Sequence, residues 1–415
     1  MIKKLSPDNS LILKNLSFLT ILRFFNIGVK FFLVAYLVRV LGTINYGILT
    51  WTDSIIQYFI ILINFGFNIY AAKYIVENKK NTALINQTTS AVFIIKIVLF
   101  IASFLALYIL SFTDSISQYS HFLFLMLLMG IGEVFFPIWY FQGVEKLQIA
   151  TYITVFSRLI LVIGTILLVK SPEDLITHIL LIVLSNLIMG ILGYITLFRS
   201  FNFRFSLVSI KEIKKILKEA YMFFLGRFLS LTFNSMTIFL IGLFYTMDFV
   251  SGFDVALKIV LVCIIPFDML QQAVFPTITR NKNKKALKKL IVISAVLGII
   301  FSIIIYNFSF ELLSLFGGEE LREYSKVLKV LSPIPPIVAL TFMLGTCTLV
   351  AFGHNKEFNK SLIISSIVYI FIVIILYLTH HLTFWNLVYL RLFSDVILML
   401  LRVYYVYKRK IFSTE

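Results

Sequence analysis

The chain has 415 residues, of which 60% are hydrophobic and 14% are charged, and its mean hydropathy is +0.97. Soluble domains carry about 45–50% apolar and about 25% charged residues, so this composition excludes a soluble globular protein. The net charge of +17 is spread over short breaks between apolar runs, which argues against a basic nucleic-acid-binding domain. The sequence predicts an all-α integral membrane protein that is embedded over nearly its whole length.

The apolar runs have the length of membrane-spanning helices. Such a helix crosses the hydrocarbon with about 20 residues, and on that scale we predict about twelve spans. Pro333, Pro335 and Pro336 predict a broken helix in the tenth. The predicted limits are 16–40, 47–72, 88–112, 119–141, 148–169, 175–198, 219–244, 250–278, 290–310, 325–352, 361–379 and 383–406.

The connections between spans differ in charge. Lysine and arginine concentrate in alternate connections, such as 282–289, and the positive-inside rule places those connections and both termini in the cytoplasm. Arg23 with Asn26 recurs as Arg227 with Ser230, so the two halves resemble parallel repeats of six spans. We therefore predict an N-terminal six-helix bundle over 1–198, a basic, amphipathic cytoplasmic linker over 199–218, and a C-terminal bundle over 219–415.

Cationic side chains occur inside the predicted spans. A cation at mid-membrane costs about 2.5–3.5 kcal/mol on insertion scales, so such charges are paired or line a hydrated cavity. A cationic interior suggests an anionic cargo. Two alternatives stay open: Lys96 and Arg391 as span-end residues that extend to the headgroups, and i,i+4 neutralisation of Lys258 by Asp254 and of Arg391 by Asp395. The seven cations are Arg23, Lys30, Lys96, Arg158, Arg227, Lys258 and Arg391.

Polar residues near the cations repeat with helical spacing. Arg23, Asn26 and Lys30 share one face of the first span, and Arg227 and Asn234 share one face of the seventh. Arginine suits phosphate because its planar fork donates two parallel hydrogen bonds. Helix–helix hydrogen bonding without a cargo is the alternative. The candidate substrate-binding residues are Arg23, Asn26, Lys30, Arg158, Arg227, Asn234 and Lys258.

Two acids are candidates for a coupling proton. Glu133 lies alone in the fourth span, and Asp53 lies in the polar stripe of the second. The alternative for Glu133 is a structural partner of Arg158 or Lys96. We expect no metal site and no cofactor, since His, Cys, Asp and Glu are not grouped at ligand spacing and no P-loop occurs.

Three segments resemble a known family. They are LGTINYG (41–47), INFGFNIYAAKYI (63–75) and FFPIWYFQGVEKL (135–147), and the W-x-x-Q-G-x-E string from Trp139 to Glu145 is the most specific. Together with the number of spans and the duplication, they resemble bacterial O-antigen and polysaccharide flippases of the Wzx type, in the MOP exporter superfamily.

The resemblance implies a fold and a function. The fold is two six-helix bundles around a MATE-like, V-shaped central cavity. The function is transfer of an undecaprenyl-diphosphate-linked O-antigen unit from the cytoplasmic to the periplasmic leaflet of the inner membrane by alternating access, without catalysis. Its partners would be that lipid-linked oligosaccharide, membrane lipids and other O-antigen assembly proteins.

Three other interpretations compete with a flippase. A drug or cation antiporter of the same superfamily would favour acidic residues in its cavity, whereas this chain has more interior bases. An O-antigen polymerase or membrane acyltransferase would be an enzyme, and the polymerase usually needs a sizeable outer loop that is missing here. A non-transporting scaffold would leave the interior charges unexplained.

Overall fold

A computed structural model describes the backbone of residues 7–231 and 235–412 and the side chains of 33–231 and 235–412. The described chain is mostly helical, and its described residues form no strand. The helices are α1 Pro7–Asn64, α2 Phe67–Glu77, α3 Thr82–Leu110, α4 Asp114–Ser117, α5 Ser120–Leu127, α6 Met129–Phe135, α7 Ile138–Gly143, α8 Leu147–Leu168, α9 Leu175–Phe201, α10 Ile210–Leu231, α11 Thr237–Phe244, α12 Met247–Asn281, α13 Lys284–Asn307, α14 Ser309–Gly317, α15 Ser325–Leu331, α16 Ile334–Phe342, α17 Asn355–Leu378 and α18 Phe384–Lys408. Short 3₁₀ segments cover Pro172–Asp174 and Glu319–Tyr324, and a π-helix covers Met343–Val350.

The helices confirm an all-α, multi-pass membrane protein. In the described part of the chain, nine helical stretches are long and apolar enough to cross a membrane, among them Leu33–Glu77, which joins α1 to α2, and Ser120–Gly143, which joins α5 to α7. The number is ten if the bent pair Glu319–Leu331 and Ile334–Val350 is one span. The predicted first span lies mostly where side chains are not described, and the predicted seventh contains the undescribed residues 232–234. The count of twelve therefore stays a prediction.

Glycine marks two breaks near the N-terminus. Gly42, at φ 74° and ψ 168°, interrupts α1 within the predicted turn 41–47. A second break lies inside the predicted second span, where Phe65 and Gly66 adopt φ values of 38° and 76°. A side chain at Gly66 would be strained by its φ and would also lie 2.7 Å from Phe223 Cβ. Gly42 thus lies between the predicted first and second spans, and the second break divides the predicted second span.

The fourth and tenth spans are broken at prolines. Phe136 and Pro137 separate α6 from α7, because Phe136 is extended at ψ 104°. The tenth span bends by 43° at Ser332 and Pro333, before α16. Pro335 follows at the start of α16, where a missing N–H costs nothing. The predicted break in the tenth span is confirmed.

The contacts divide the chain into two compact units, residues 1–228 and 229–415. The greater part of α10 packs on the first unit, where Ile216 and Ala220 join its core. The predicted boundaries at 198 and 219, and the arrangement of two six-helix bundles, stay predictions.

Within the first unit, glycines allow helices to touch at their backbones. A Cβ at Gly132 of α6 would lie 2.1 Å from the Asn186 carbonyl oxygen of α9. A Cβ at Gly143 of α7 would lie 2.7 Å from Ile75 Cβ of α2. Small residues permit such close approach in membrane helices. The two halves of the fourth span therefore pack closely on different helices.

Candidate functional site: interior charges of the two units

Charged and amide side chains from three spans meet in the first unit. The Glu133 carboxylate on α6 accepts a hydrogen bond of 3.1 Å from Asn64 Nδ2 at the end of α1. Asp53, earlier on α1, accepts one of 2.9 Å from Gln57 Nε2. Arg158 on α8 is half-buried and is attracted electrostatically by both acids. No hydrogen bond or ion pair joins Arg158 to another residue in the described part of the chain.

Lys96 supplies a hydrogen-bond donor at the break in the fourth span. Its ammonium donates to the backbone carbonyl of Glu133. In a continuous helix that carbonyl would accept from the N–H four residues later, but residue 137 is proline and has none. Lys96 is 1% exposed, so the prediction that it is a span-end residue reaching the headgroups is wrong. The break provides a buried acceptor that holds the cation inside.

The W-x-x-Q-G-x-E string follows this break and has structural roles. The Trp139 side chain is fully buried in the aromatic core of the first unit. Gly143 allows α7 to approach α2. Glu145 forms an exposed ion pair of 2.6 Å with Lys79, just beyond α2. The string therefore attaches α7 to α2.

In the second unit, two predicted ion pairs are confirmed. Lys258 Nζ lies 2.6 Å from Asp254 Oδ2 on α12. Arg391 Nη1 lies 2.5 Å from Asp395 Oδ2 on α18. Arg391 is only 3% exposed, so it does not extend to the headgroups, and that alternative is wrong. Each cation has a carboxylate one helical turn away, which offsets part of its desolvation cost.

Arg402, a buried cation of the second unit, was missed by the sequence reasoning. Arg402 is 5% exposed, and its Nη1 donates a hydrogen bond of 2.6 Å to the Thr341 carbonyl. That carbonyl lies two residues before the π-helix Met343–Val350, whose i→i+5 pattern leaves a carbonyl without its α-helical donor. The guanidinium also lies 4.4 Å from the centre of the Phe358 ring. A signal was present, because Arg402 follows Arg391 by eleven residues and so shares its helix face.

The other predicted site residues are one exposed arginine and four residues whose side chains the structure does not describe. Arg227 lies on α10 with its side chain exposed. Arg23, Asn26, Lys30 and Asn234 lie outside the residues whose side chains the structure describes. Among described residues, no three His, Cys, Asp or Glu side chains are placed to hold a metal ion.

Residues 12–282 match the family model of the polysaccharide biosynthesis proteins. The chain belongs to this family. The match spans every predicted site residue from Arg23 to Lys258, whereas Arg391 and Arg402 lie beyond it. It confirms the resemblance drawn from the sequence segments.

Two relatives are each named "Putative O-antigen transporter". One, from Escherichia coli K12, is 24% identical over 365 residues, which cover 84% of this chain and 86% of the relative. The other, from Shigella dysenteriae, is 25% identical over 401 residues, which cover 93% and 98%.

Solved structures share the fold. The lipid II flippase MurJ in an inward closed conformation gives a TM-score of 0.77 at 14% identity, covering 94% of this chain and 87% of its own. An inward-facing MATE multidrug transporter of the MOP superfamily gives 0.67 at 14% identity, covering 96% and 100%. The fold is therefore that of MOP-superfamily transporters.

Proposed function

We propose that this protein is a flippase that moves undecaprenyl-diphosphate-linked O-antigen units from the cytoplasmic to the periplasmic leaflet by alternating access. The family of polysaccharide biosynthesis proteins, the names of the two relatives and the MOP fold support transport of such a unit. They also favour a transporter over an enzyme. The bacterial inner membrane is the proposed location, with both termini in the cytoplasm. The proposed partners are the lipid-linked oligosaccharide, membrane lipids and other O-antigen assembly proteins.

The difference between described interior cations that already have a partner and those that do not supports this proposal. Lys96 is bound to a backbone carbonyl, and Arg391 is paired with Asp395. Lys258 is paired with Asp254, which makes it the weakest candidate for binding cargo. Arg158 has attracting acids but no direct bond among described residues. Arg158 is therefore the described cation best able to accept an anionic ligand.

A diphosphate suits such a site chemically. Arginine keeps its charge and offers two parallel donors to phosphate oxygens. We propose that Arg158 acts with Arg23, Asn26, Lys30, Arg227 and Asn234 to hold the diphosphate. A group with roughly two negative charges, moved outward from a negative interior, gains about 4–5 kcal/mol per 100 mV if no other charge moves. The membrane potential is thus sufficient to favour export.

Glu133 and Asp53 are the proposed coupling residues. Both lie near Arg158, and Glu133 also contacts Asn64. Protonation of either acid would weaken its attraction for Arg158 and make that cation more available to an anion. Proton binding at this cluster would then favour cargo binding to Arg158.

Deletion and complementation test the function. Deleting the gene should leave lipid-linked O-units on the cytoplasmic leaflet, and the wild-type gene should restore O-antigen display. Arg23→Ala and Arg227→Ala should each fail to restore it at matched protein level, while lysine replacements restore it in part. Unimpaired O-antigen display in the deletion strain would contradict the proposed flippase function. Normal display with both alanine variants would exclude Arg23 and Arg227 from diphosphate binding, but it would not contradict the proposed flippase function.

A further inference from the structure

A surface around the start of α10 combines exposed apolar and basic side chains. Phe205, Leu207 and Ile210 are 56%, 95% and 72% exposed. They are accompanied by exposed basic residues, and we call the whole set the linker surface. Its basic members are Arg204, Lys211, Lys214, Lys215 and Lys218.

The helix that carries this surface is firmly placed on the first unit. Ser206 N donates a hydrogen bond of 3.0 Å to Ser90 Oγ of α3. Ser209 and Glu212 form a capping box, with Ser209 N at 3.0 Å from Glu212 Oε2 and Glu212 N at 3.3 Å from Ser209 Oγ. The buried residues Ile216 and Ala220 face the unit's core. The linker surface is thus held in a fixed orientation.

The acids and the bases of α10 are separated on its surface. Glu212 is held by Gln87 Nε2 at 2.5 Å, and Glu219 is hydrogen-bonded by Tyr70. Both acids are therefore engaged by the first unit. The lysines at 211, 214, 215 and 218 follow an i, i+3, i+4, i+7 spacing, which places them on the face opposite Ile216 and Ala220. Within the described residues, none of the four makes an ion pair.

We propose that the linker surface binds the anionic lipid headgroups of the adjoining leaflet. Phe205, Leu207 and Ile210 would enter the boundary between headgroups and acyl chains, as apolar side chains of interfacial helices do. The lysine face would meet phosphate groups, since basic residues near an anionic membrane surface each add to binding. A nucleic acid would match the charge but would leave the three apolar side chains in water. This inference does not depend on which cargo the protein transports.

Fluorescence of the full-length protein in nanodiscs tests the proposal. An environment-sensitive fluorophore is attached at Leu207→Cys in a background with Cys263→Ser and Cys347→Ala. The discs contain phosphatidylcholine alone or increasing fractions of phosphatidylglycerol. We expect the emission to shift to the blue and iodide quenching to fall as the anionic fraction rises, and high salt to weaken both effects.

A charge variant and a matched control isolate the lysine face. The combination Lys211→Gln, Lys214→Gln, Lys215→Gln and Lys218→Gln should weaken the response to phosphatidylglycerol by about fivefold for each lysine removed. The control removes the same charge from the second unit, by Lys284→Gln, Lys285→Gln, Lys288→Gln and Lys289→Gln, and should keep the response at position 207. Equal melting temperatures establish that both variants fold.

Two results would overturn the proposal. One is iodide quenching of the fluorophore that is equal in every disc. That result would show that the linker surface stays in water, where a water-soluble partner would bind it. The other is an unchanged lipid response in the quadruple α10 variant, which would show that the lysines do not select anionic lipid.

Discussion

Replacing Lys96 by methionine tests whether its role is to serve the carbonyl that Pro137 leaves without a donor. The change keeps the length of the side chain and removes the ammonium. A hydrogen bond to a charged group contributes about 1.5–3 kcal/mol, and a buried carbonyl without a partner costs about 1–3 kcal/mol. Removing a buried cation offsets this by about 2.5–3.5 kcal/mol on insertion scales. Because the two effects nearly cancel, the stability of Lys96→Met alone does not distinguish the explanations.

A double-mutant cycle with Pro137→Ala separates them. Alanine restores an N–H four residues after Glu133, so α6 can continue and the carbonyl no longer requires Lys96. Loss of the cation should then cost less in the Pro137→Ala background than in the wild-type background, by a coupling energy of about 1–3 kcal/mol. The assay is equilibrium unfolding of the four purified proteins in mixed micelles, followed by circular dichroism.

A surface lysine provides the control for the cycle. Lys79 forms an exposed ion pair with Glu145, and such pairs contribute about 0–1 kcal/mol. Lys79→Met should show no coupling to Pro137→Ala. Equal effects of Lys96→Met in the proline and alanine backgrounds would refute the carbonyl explanation and assign Lys96 to the Glu133 carboxylate instead.

Four further predictions concern single positions. Arg158→Ala should abolish transport of lipid-linked sugar in vesicles while the protein remains folded, and Arg158→Lys should retain part of it. Normal transport by the alanine variant would exclude Arg158 from cargo binding. Glu133→Gln should bind the lipid-linked sugar but stop flipping driven by a pH gradient, and a folded variant that still responds to the gradient excludes Glu133 as the coupling residue. Gly345→Ala should lower the melting temperature, because its Cβ would lie 2.2 Å from Arg402 Nη1 and would displace the guanidinium. The hydrogen bond of that guanidinium to the Thr341 carbonyl contributes about 1.5–3 kcal/mol. Adding Arg402→Lys should recover part of the loss, and an unchanged melting curve would contradict this packing. A cysteine at Lys284, in a cysteine-free background, should react only with membrane-permeant reagents in intact cells, and labelling by an impermeant reagent from outside would overturn the topology.

Features local to one helix were predictable from the sequence. Hydropathy identified the membrane class, and prolines identified the break in the tenth span. The i,i+4 spacing identified the pairs of Lys258 with Asp254 and of Arg391 with Asp395. These features depend on spacing along one helix, which the sequence states directly.

Features that join distant helices were not predictable in this way. The acceptor of Lys96 lies 37 residues away and exists only because the fourth span is interrupted. The acceptor of Arg402 lies 61 residues away, beside a π-helix that has no sequence signal of its own. A cation inside an apolar run shows that a partner is required, but hydropathy does not distinguish a carboxylate from a displaced backbone carbonyl.

The contact between Gly132 and Asn186 has a mechanical consequence. With no room for even one methyl group between them, α6 and α9 are unable to slide past each other without separating. Gly143 fixes α7 against α2 in the same manner. The two halves of the fourth span are thus fixed against different helices, with Phe136 and Pro137 between them. A change in the angle between α6 and α7 would therefore act at this break, where Lys96 donates to the Glu133 carbonyl.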